Sequence, residues 1–407
     1  MTMKKVLVIA SRFPWPPFSG DRLRTTIWLD ALAEEAEVAL VAPEGEVPAS
    51  APRFEFFPAA RSFANGAGGV VRVLRDALPL QTLLAAPYRW SDAIARAQSE
   101  AGPFDATIVV LSRLDPWIRP LLGNAAVPAA GQAASRRRGA DTAPVQPART
   151  PAFRVLDAID SLHRNTVERA LQAKAPLRWF WRGEARRLAR AEAEAADAYD
   201  RLIFVSEEDG LAVSNGVVIN ALADKPRRFD FGFWGRLAYF ANEDAASYLL
   251  DEIWPLIRER RPAATLAIGG AHVTNSVRRK ANRPGVTLFS PVDHIPELAR
   301  DIRVALLPLR YGSGESTKTM EAAEAGCAIV GMPKAFRGVS ALAAHAYVVS
   351  GIASGANEFA DAAVALLDNH AERARMATAL RAAVAASHAR ETTLARLAAI
   401  AIREEAA

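Results

Sequence analysis

Leu306-Leu307-Pro308-Leu309-Arg310-Tyr311-Gly312-Ser313-Gly314-Glu315-Ser316-Thr317-Lys318-Thr319-Met320-Glu321-Ala322 runs from an apolar segment through a Gly-Ser-Gly turn into a helix start. Arg303–Leu307 reads as a buried strand and Ser316–Ala325 as the helix after it. A strand fed through a short turn into a helix is the repeating unit of a parallel sheet. Glycines at 312 and 314 let backbone N–H groups approach an anion closely. A helix N-terminus adds about half a positive charge there. Ser316 and Thr317 are natural caps. Lys318 can reach a phosphate as a point charge, with Glu321 one turn on. The same residues also suit a plain strand–helix turn with a surface Lys–Glu pair. A nicotinamide-dinucleotide site would want an acid after the next strand, but Ala328-Ile329-Val330-Gly331-Met332-Pro333-Lys334 offers none.

Upstream, Phe231–Trp234 reads as a strand that ends in Gly235-Arg236-Leu237 before an acid-rich helix start, with the helix over Ala245–Glu259. Arg236 then stands at the carboxyl end of a strand, where open α/β sheets bind ligands, and a guanidinium there can clamp a diphosphate. A surface arginine is the plainer reading. Further strands are read at Ala264–Ile268, Val286–Phe289 and Ala328–Val330.

The front of the chain repeats the alternation. Val6–Ala10, Val38–Val41 and Phe104–Leu111 are apolar runs of strands covered on both faces, and Arg22–Glu35 has helical spacing through Leu23, Ile27, Leu29 and Leu32. Between the first strand and that helix lies a Pro/Gly loop ending Ser19-Gly20-Asp21, in which Gly20 permits a second close approach to anionic or sugar groups and Asp21 can cap the helix. Leu202–Ser206 is a strand, and Leu177–Tyr199 a charged, alanine-rich helix whose Trp179, Phe180 and Trp181 are expected to face the core beside a solvated basic face, the alternative being that they touch anionic lipid together with Arg182, Arg186 and Arg187. Residues 123–152, with the run Arg136-Arg137-Arg138, break the pattern and read as a flexible insertion.

Composition sets the bounds. The chain has 407 residues, 51% hydrophobic and 23% charged, which excludes a disordered, collagenous or disulfide-stapled protein. A single cysteine, Cys327, makes no intrachain disulfide, so a reducing compartment is the default, and its apolar surroundings suggest core. A net charge of +5 is too small to require nucleic acid. The first apolar run is short and soon meets Pro14, so it reads as a strand and not as a signal peptide. Six scattered histidines lack metal-ligand spacing.

Taken in order, these pieces resemble a retaining GT-B glycosyltransferase of the group 1 family, in the branch acting on bacterial envelope or exported polysaccharide. The resemblance is carried by Phe13-Pro14 to Arg24, Asp157–Leu162, Glu184 to Glu192, Val205–Asp209, Asn215-Gly216-Val217, Gly235-Arg236-Leu237, Trp254-Pro255, Pro308 to Gly326 and Arg337-Gly338-Val339. It implies an α/β fold of two Rossmann-like domains with parallel sheets facing across a cleft. The amino-terminal, acceptor-side domain would span 1–220 and include the insertion. The nucleotide-sugar domain would span 221–385, and a helix in 386–407 would pack back on the first domain. The implied reaction is hexosyl transfer from a nucleotide-diphosphate sugar to a glycan or lipid-linked acceptor, with retention and with no metal or other cofactor. Arg236 and Lys318 would bind the donor diphosphate as the catalytic cations. Gly312, Ser313, Gly314, Ser316, Thr317 and Glu321 would hold the donor, Glu321 at the ribose, and Gly20 would line the cleft opposite. The loop over residues 290–295 would meet the base. A cytoplasmic protein touching the inner membrane surface is expected. Two alternatives stay open: a non-catalytic GT-B partner in a glycan assembly complex, and a nucleotide-sugar epimerase.

Overall fold

The computed structural model describes residues 3–17, 19–122, 153–222, 225–292, 294–312, 314–350 and 355–402. The insertion read over 123–152 therefore lies outside the described residues, as does Ser313. The chain forms two compact units. The first takes in Met1–His163, Ala175–Ile203 and Leu397–Ala407, and the second Arg164–Lys174 and Phe204–Arg396.

In the first unit six strands are ordered β3-β2-β1-β4-β5-β6. They are β1 Lys4–Ala10, β2 Ala36–Pro43, β3 Glu55–Ala59, β4 Ala106–Val110, β5 Phe153–Ile159 and β6 Arg201–Phe204. β1 pairs in parallel with β2 and β4, β2 with β3, and β4 with β5. Val6–Ile9 and Ile108–Val110 are fully buried, which is why these strands read as unbroken apolar runs rather than alternating ones. β3 contains Pro58, which a central strand would not tolerate; β3 is an edge strand, where a missing N–H does no harm. The helix Gly20–Leu32 begins two residues before the expected Arg22. Ser19 holds its N-cap position, with its hydroxyl donating to Asp21 at 2.6 Å, so Asp21 lies in the first turn and is not the cap.

Beneath that helix, Asp157 on β5 is fully buried. It accepts from Arg24 Nε at 2.6 Å, Trp28 Nε1 at 2.7 Å and the Ile159 N–H at 3.1 Å. Removing one partner of such a buried pair leaves an uncompensated charge and costs about 3–5 kcal/mol. Later in the chain, the helix Leu177–Ala198 corrects one expectation. Trp179 is 69% exposed and Phe180 46%, so these aromatics face outward and only Trp181 is half-buried.

In the second unit the order is β12-β11-β10-β7-β8-β9, with every neighbouring pair parallel. The strands are β7 Phe229–Trp234, β8 Leu266–Gly269, β9 Val286–Phe289, β10 Ile302–Leu307, β11 Ala328–Gly331 and β12 Tyr347–Val348. The helix expected over Ala245–Glu259 starts at Phe240 and passes through a π-helical turn, Leu249–Ile253, before Trp254–Arg260. Pro255 lacks the N–H that would close an ordinary turn onto the fourth carbonyl back, and one wider turn absorbs that loss. Cys327 is buried, with its thiol beside the carbonyls of Ala299 and Ile302; burial pushes its pKa up to about 11. It is core, as expected.

Each sheet reverses its winding at one place: between β1 and β4 in the first unit, and between β7 and β10 in the second. Ligands of open α/β sheets bind outside the carboxyl ends of the strands at such switch points.

Candidate functional site

The second unit's switch point carries most of the residues singled out in the sequence. At the end of β7, Gly235 has φ +144, a conformation a side-chain-bearing residue rarely adopts. A Cβ there would lie 2.6 Å from Lys318 Cε and 3.1 Å from Lys318 Nζ. The lysine stem is laid across the peptide that precedes Arg236. Gly270 closes the floor: a Cβ on it would sit 1.8 Å from the Gly235 carbonyl oxygen. Asn242 Nδ2 and the Tyr239 N–H both donate to the Arg236 carbonyl, at 2.9 and 3.0 Å, and fix the turn. Arg236 itself is exposed.

From the end of β10 the chain turns through Gly312, φ +131, and Gly314, φ +71. The helix Thr317–Glu324 follows. Ser316 occupies its N-cap position but makes no side-chain cap: its hydroxyl pairs with Thr319 Oγ1 at 2.9 Å, which leaves the first turn uncapped by a side chain. A cavity of about 120 Å³ opens here, lined among others by Gly312, Gly314, Ser316, Thr317 and Lys318. Arg236 and Glu321 are not among its lining residues. Glu321 instead accepts from Trp234 Nε1 at 2.7 Å. Gly20 begins a helix of the first unit, with nothing within 4 Å of where its Cβ would be.

Burial sets the electrostatics. It pushes the Lys318 pKa down, against the pull of Glu321, and pushes the Glu321 pKa up, against the Trp234 hydrogen bond and the Lys318 charge. An ammonium short of solvation at an open cavity is ready to take an anionic partner.

Three residues without an assigned role complete the wall. Lys334 and Arg337, in the turn after β11, line the same cavity. Glu168 ties them in: its carboxylate accepts the Gly312 N–H at 3.1 Å, pairs with Lys334 and stands 4.0 Å from Arg337. Arg337 is in turn held by Asp209 at 2.8 Å and Glu208 at 3.3 Å. The spacing Lys334-x-x-Arg337 after a strand was a legible signal. Glu168, 144 residues from Gly312, gave none.

The family described as glycosyl transferases group 1 matches residues 228–369, the segment that builds this site. The match covers 142 of the 407 residues, so it makes that segment similar to the group 1 glycosyl transferases. No curated protein matches the chain. Among solved structures, Anabaena Alr3699/HepE in complex with UDP and glucose is similar at 13% identity and TM-score 0.64, over 99% of this chain and 100% of that one. Sucrose-phosphate synthase from Thermosynechococcus elongatus is similar at 12% identity and TM-score 0.68, over 98% and 99%. WaaG, a glycosyltransferase involved in lipopolysaccharide biosynthesis, is similar at 14% and 0.58, over 97% and 99%. These likenesses establish the fold, which is GT-B. Within the matched segment, the switch point presents the Lys318 ammonium and a helix start without a side-chain cap, beside a Gly312 amide that Glu168 occupies; the ammonium and the helix start suit a phosphorylated ligand.

Proposed function

We propose that the protein transfers a hexose-type sugar from a nucleotide-diphosphate sugar to a glycan or lipid-linked acceptor with retention of configuration. The observation that carries this reading is Lys318 lying across Gly235 beside the Gly312–Gly314 turn, in the segment that the group 1 family matches. In this reading Lys318 and Arg236 hold the donor diphosphate, the amides of the glycine turn meet its oxygens, and Glu321 meets the ribose. UDP bound to HepE makes UDP-sugars the first donors to try.

The chemistry is a charge problem. The bond from the anomeric carbon to the β-phosphate oxygen breaks, and its electron pair leaves with the nucleoside diphosphate. The acceptor oxygen bonds to that carbon from the departing face, and its proton passes to the leaving phosphate. Fixed cations and N–H groups aimed at the leaving oxygens lower this barrier; removing one such donor typically costs about 10²–10³ in rate. We assign the neutralisation to these side chains and amides, with no metal.

We place the reaction at the cytoplasmic face of the inner membrane, in envelope or exported polysaccharide synthesis. Outward-facing Trp179 and Phe180 beside exposed Arg178 and Arg182 support contact with an anionic lipid surface, and no helix among the described residues is long and apolar enough to cross a membrane. The test is a panel of UDP-, GDP- and ADP-sugars, read by mass spectrometry with and without a glycan acceptor mixture. Nucleoside diphosphate released together with an extended glycan supports the reading. A new nucleotide sugar without acceptor identifies an epimerase, and nucleotide binding without turnover a non-catalytic partner.

A further inference from the structure

The second unit has another recess, larger than the one at its switch point. Its volume is about 500 Å³, and it is lined by Arg227, Arg303, Arg373 and Arg381, with His370 and Thr378 beside them. Its other lining residues are apolar or glycine, and no carboxylate among the described residues lines it. Arg227 precedes β7, Arg303 is the second residue of β10, and Gly326 of the same recess precedes β11. The recess therefore lies at the amino ends of these strands, whereas Gly235 and the glycine turn follow their carboxyl ends. The length of a six-residue strand such as β10, about 20 Å, separates the two places.

The fold holds these guanidiniums with its own carbonyls. Arg227 Nη2 donates to the Ala325 carbonyl at 2.8 Å, and Arg381 Nη1 to the Glu324 carbonyl, so both meet the end of the helix Thr317–Glu324. Gly326, φ +69, lets that turn come close: a Cβ there would lie 3.0 Å from Arg227 Nη2. Arg373 Nη1 donates to the Leu366 and Leu367 carbonyls, at 2.9 and 2.6 Å, near the end of the helix Gly355–Asp368. Arg303 pairs with Asp230 at 2.9 Å. Capping of helix ends accounts for Arg227, Arg373 and Arg381 one at a time. It does not account for their meeting Arg303 around one hollow.

The charges there do not cancel. Two carboxylates stand behind the recess: Asp230, and Glu324, which serves Arg300 at 3.0 Å as well as Arg381 at 3.8 Å. Asp301, Asp368 and Glu372 nearby in the chain are matched by cations outside the recess: Lys225 and Arg228, Arg261, and Arg375. Arg227 and Arg373 make no ion pair among the described residues. Even with about half a negative charge from each of the two helix ends, the five guanidiniums retain about two positive charges. Burial pushes the Arg373 pKa down, Arg303 and Arg227 push it the same way, and Asp230 opposes them. The four lining arginines are half-buried, so water screens part of their repulsion, and a bound anion would relieve the rest.

We infer that this recess binds a compact anion carrying two or more phosphate groups, at a site separate from the switch point. Guanidinium forks match phosphate oxygens, and the volume is that of a small-molecule site, more than one phosphate group fills. The lining offers no phenyl or indole ring on which a nucleobase could stack, and a single hydroxyl, Thr378, so charge and not a base or a sugar is what it recognises. The inference goes beyond the sugar-transfer reading and does not need it.

The test titrates inorganic tripolyphosphate calorimetrically into the full chain carrying Lys318→Ala, which removes the ammonium of the switch-point cradle. The titration is repeated with Arg303→Gln, Arg373→Gln or Arg96→Gln added. Arg303→Gln retains an amide beside Asp230, and Arg96 is an exposed residue of the first unit that serves as the control. Thermal melting confirms that each variant is folded, and either recess variant suffices if the other is not. One site is expected, weakened tenfold or more by Arg303→Gln and by Arg373→Gln and unchanged by Arg96→Gln. Absence of binding, equal affinity in all the variants, or equal weakening by Arg96→Gln overturns the inference. Citrate binding as tightly as tripolyphosphate overturns the assignment to phosphate. No nucleotide or sugar is present, so the result stands apart from success or failure of the sugar-transfer reading.

Discussion

The indole nitrogen of Trp234 donates to Glu321 Oε2 across 2.7 Å, joining the last residue of β7 to the helix that follows the glycine turn. Burial raises the Glu321 pKa, and this hydrogen bond is the strongest influence opposing it. Trp234→Phe keeps most of the packing and leaves the carboxylate without its donor. The expected loss is about 1–3 kcal/mol, read as a lower urea midpoint at pH 7. Because Glu321 is disfavoured as an anion, the loss should shrink as pH falls towards 4 and the group protonates. A loss independent of pH would mean that packing alone is at stake.

Gly235→Ala places a methyl 2.6 Å from Lys318 Cε at φ +144. Such a backbone costs about 1–3 kcal/mol in a residue with a side chain, and the lysine must also move. We expect donor kcat/KM to fall at least tenfold while Gly20→Ala, with open space around its Cβ, leaves the melting temperature unchanged. A Gly235→Ala enzyme with full activity would show that the position of Lys318 over that peptide is incidental.

Glu168 already occupies the Gly312 N–H and the Lys334 ammonium, which an incoming diphosphate could otherwise use. Glu168→Ala should therefore tighten UDP binding by about three- to tenfold, the size expected when one competing charge is removed at a partly solvated site. Weaker binding in the variant would instead make Glu168 a support for the turn.

Asp115, in the first unit, has a pKa raised to about 6, chiefly by burial and against the pull of Arg119. A carboxyl whose folded pKa lies above its unfolded value lends stability that is fully present below about pH 4 and is lost as pH rises through 6. The full swing is on the order of 2–4 kcal/mol. Asp115→Asn should flatten the dependence of the urea midpoint on pH between 4 and 7. An unchanged slope would place Asp115 in a more solvated setting.

The strands of both switch points were legible because buried parallel strands are apolar without interruption, as Val6–Ile9 and Val304–Leu307 are. Gly235, Gly312 and Gly314 announced the turns, and all three have the positive φ that calls for glycine. Other features depended on tertiary context. Pro58 hid β3, since a proline argues against a strand until its edge position is known. The outward face of Trp179 could not be told from an inward one by spacing alone. Glu168 escaped for the same reason: its partners Gly312 and Lys334 lie far off in sequence.

The central claim is that Lys318 binds the donor diphosphate, and calorimetric titration of UDP into wild-type and Lys318→Ala protein tests it most directly. The account predicts one site in the wild type. It also predicts at least a hundredfold weaker binding in the variant, with thermal melting confirming that the variant is folded. Equal UDP affinity in the two proteins would contradict it.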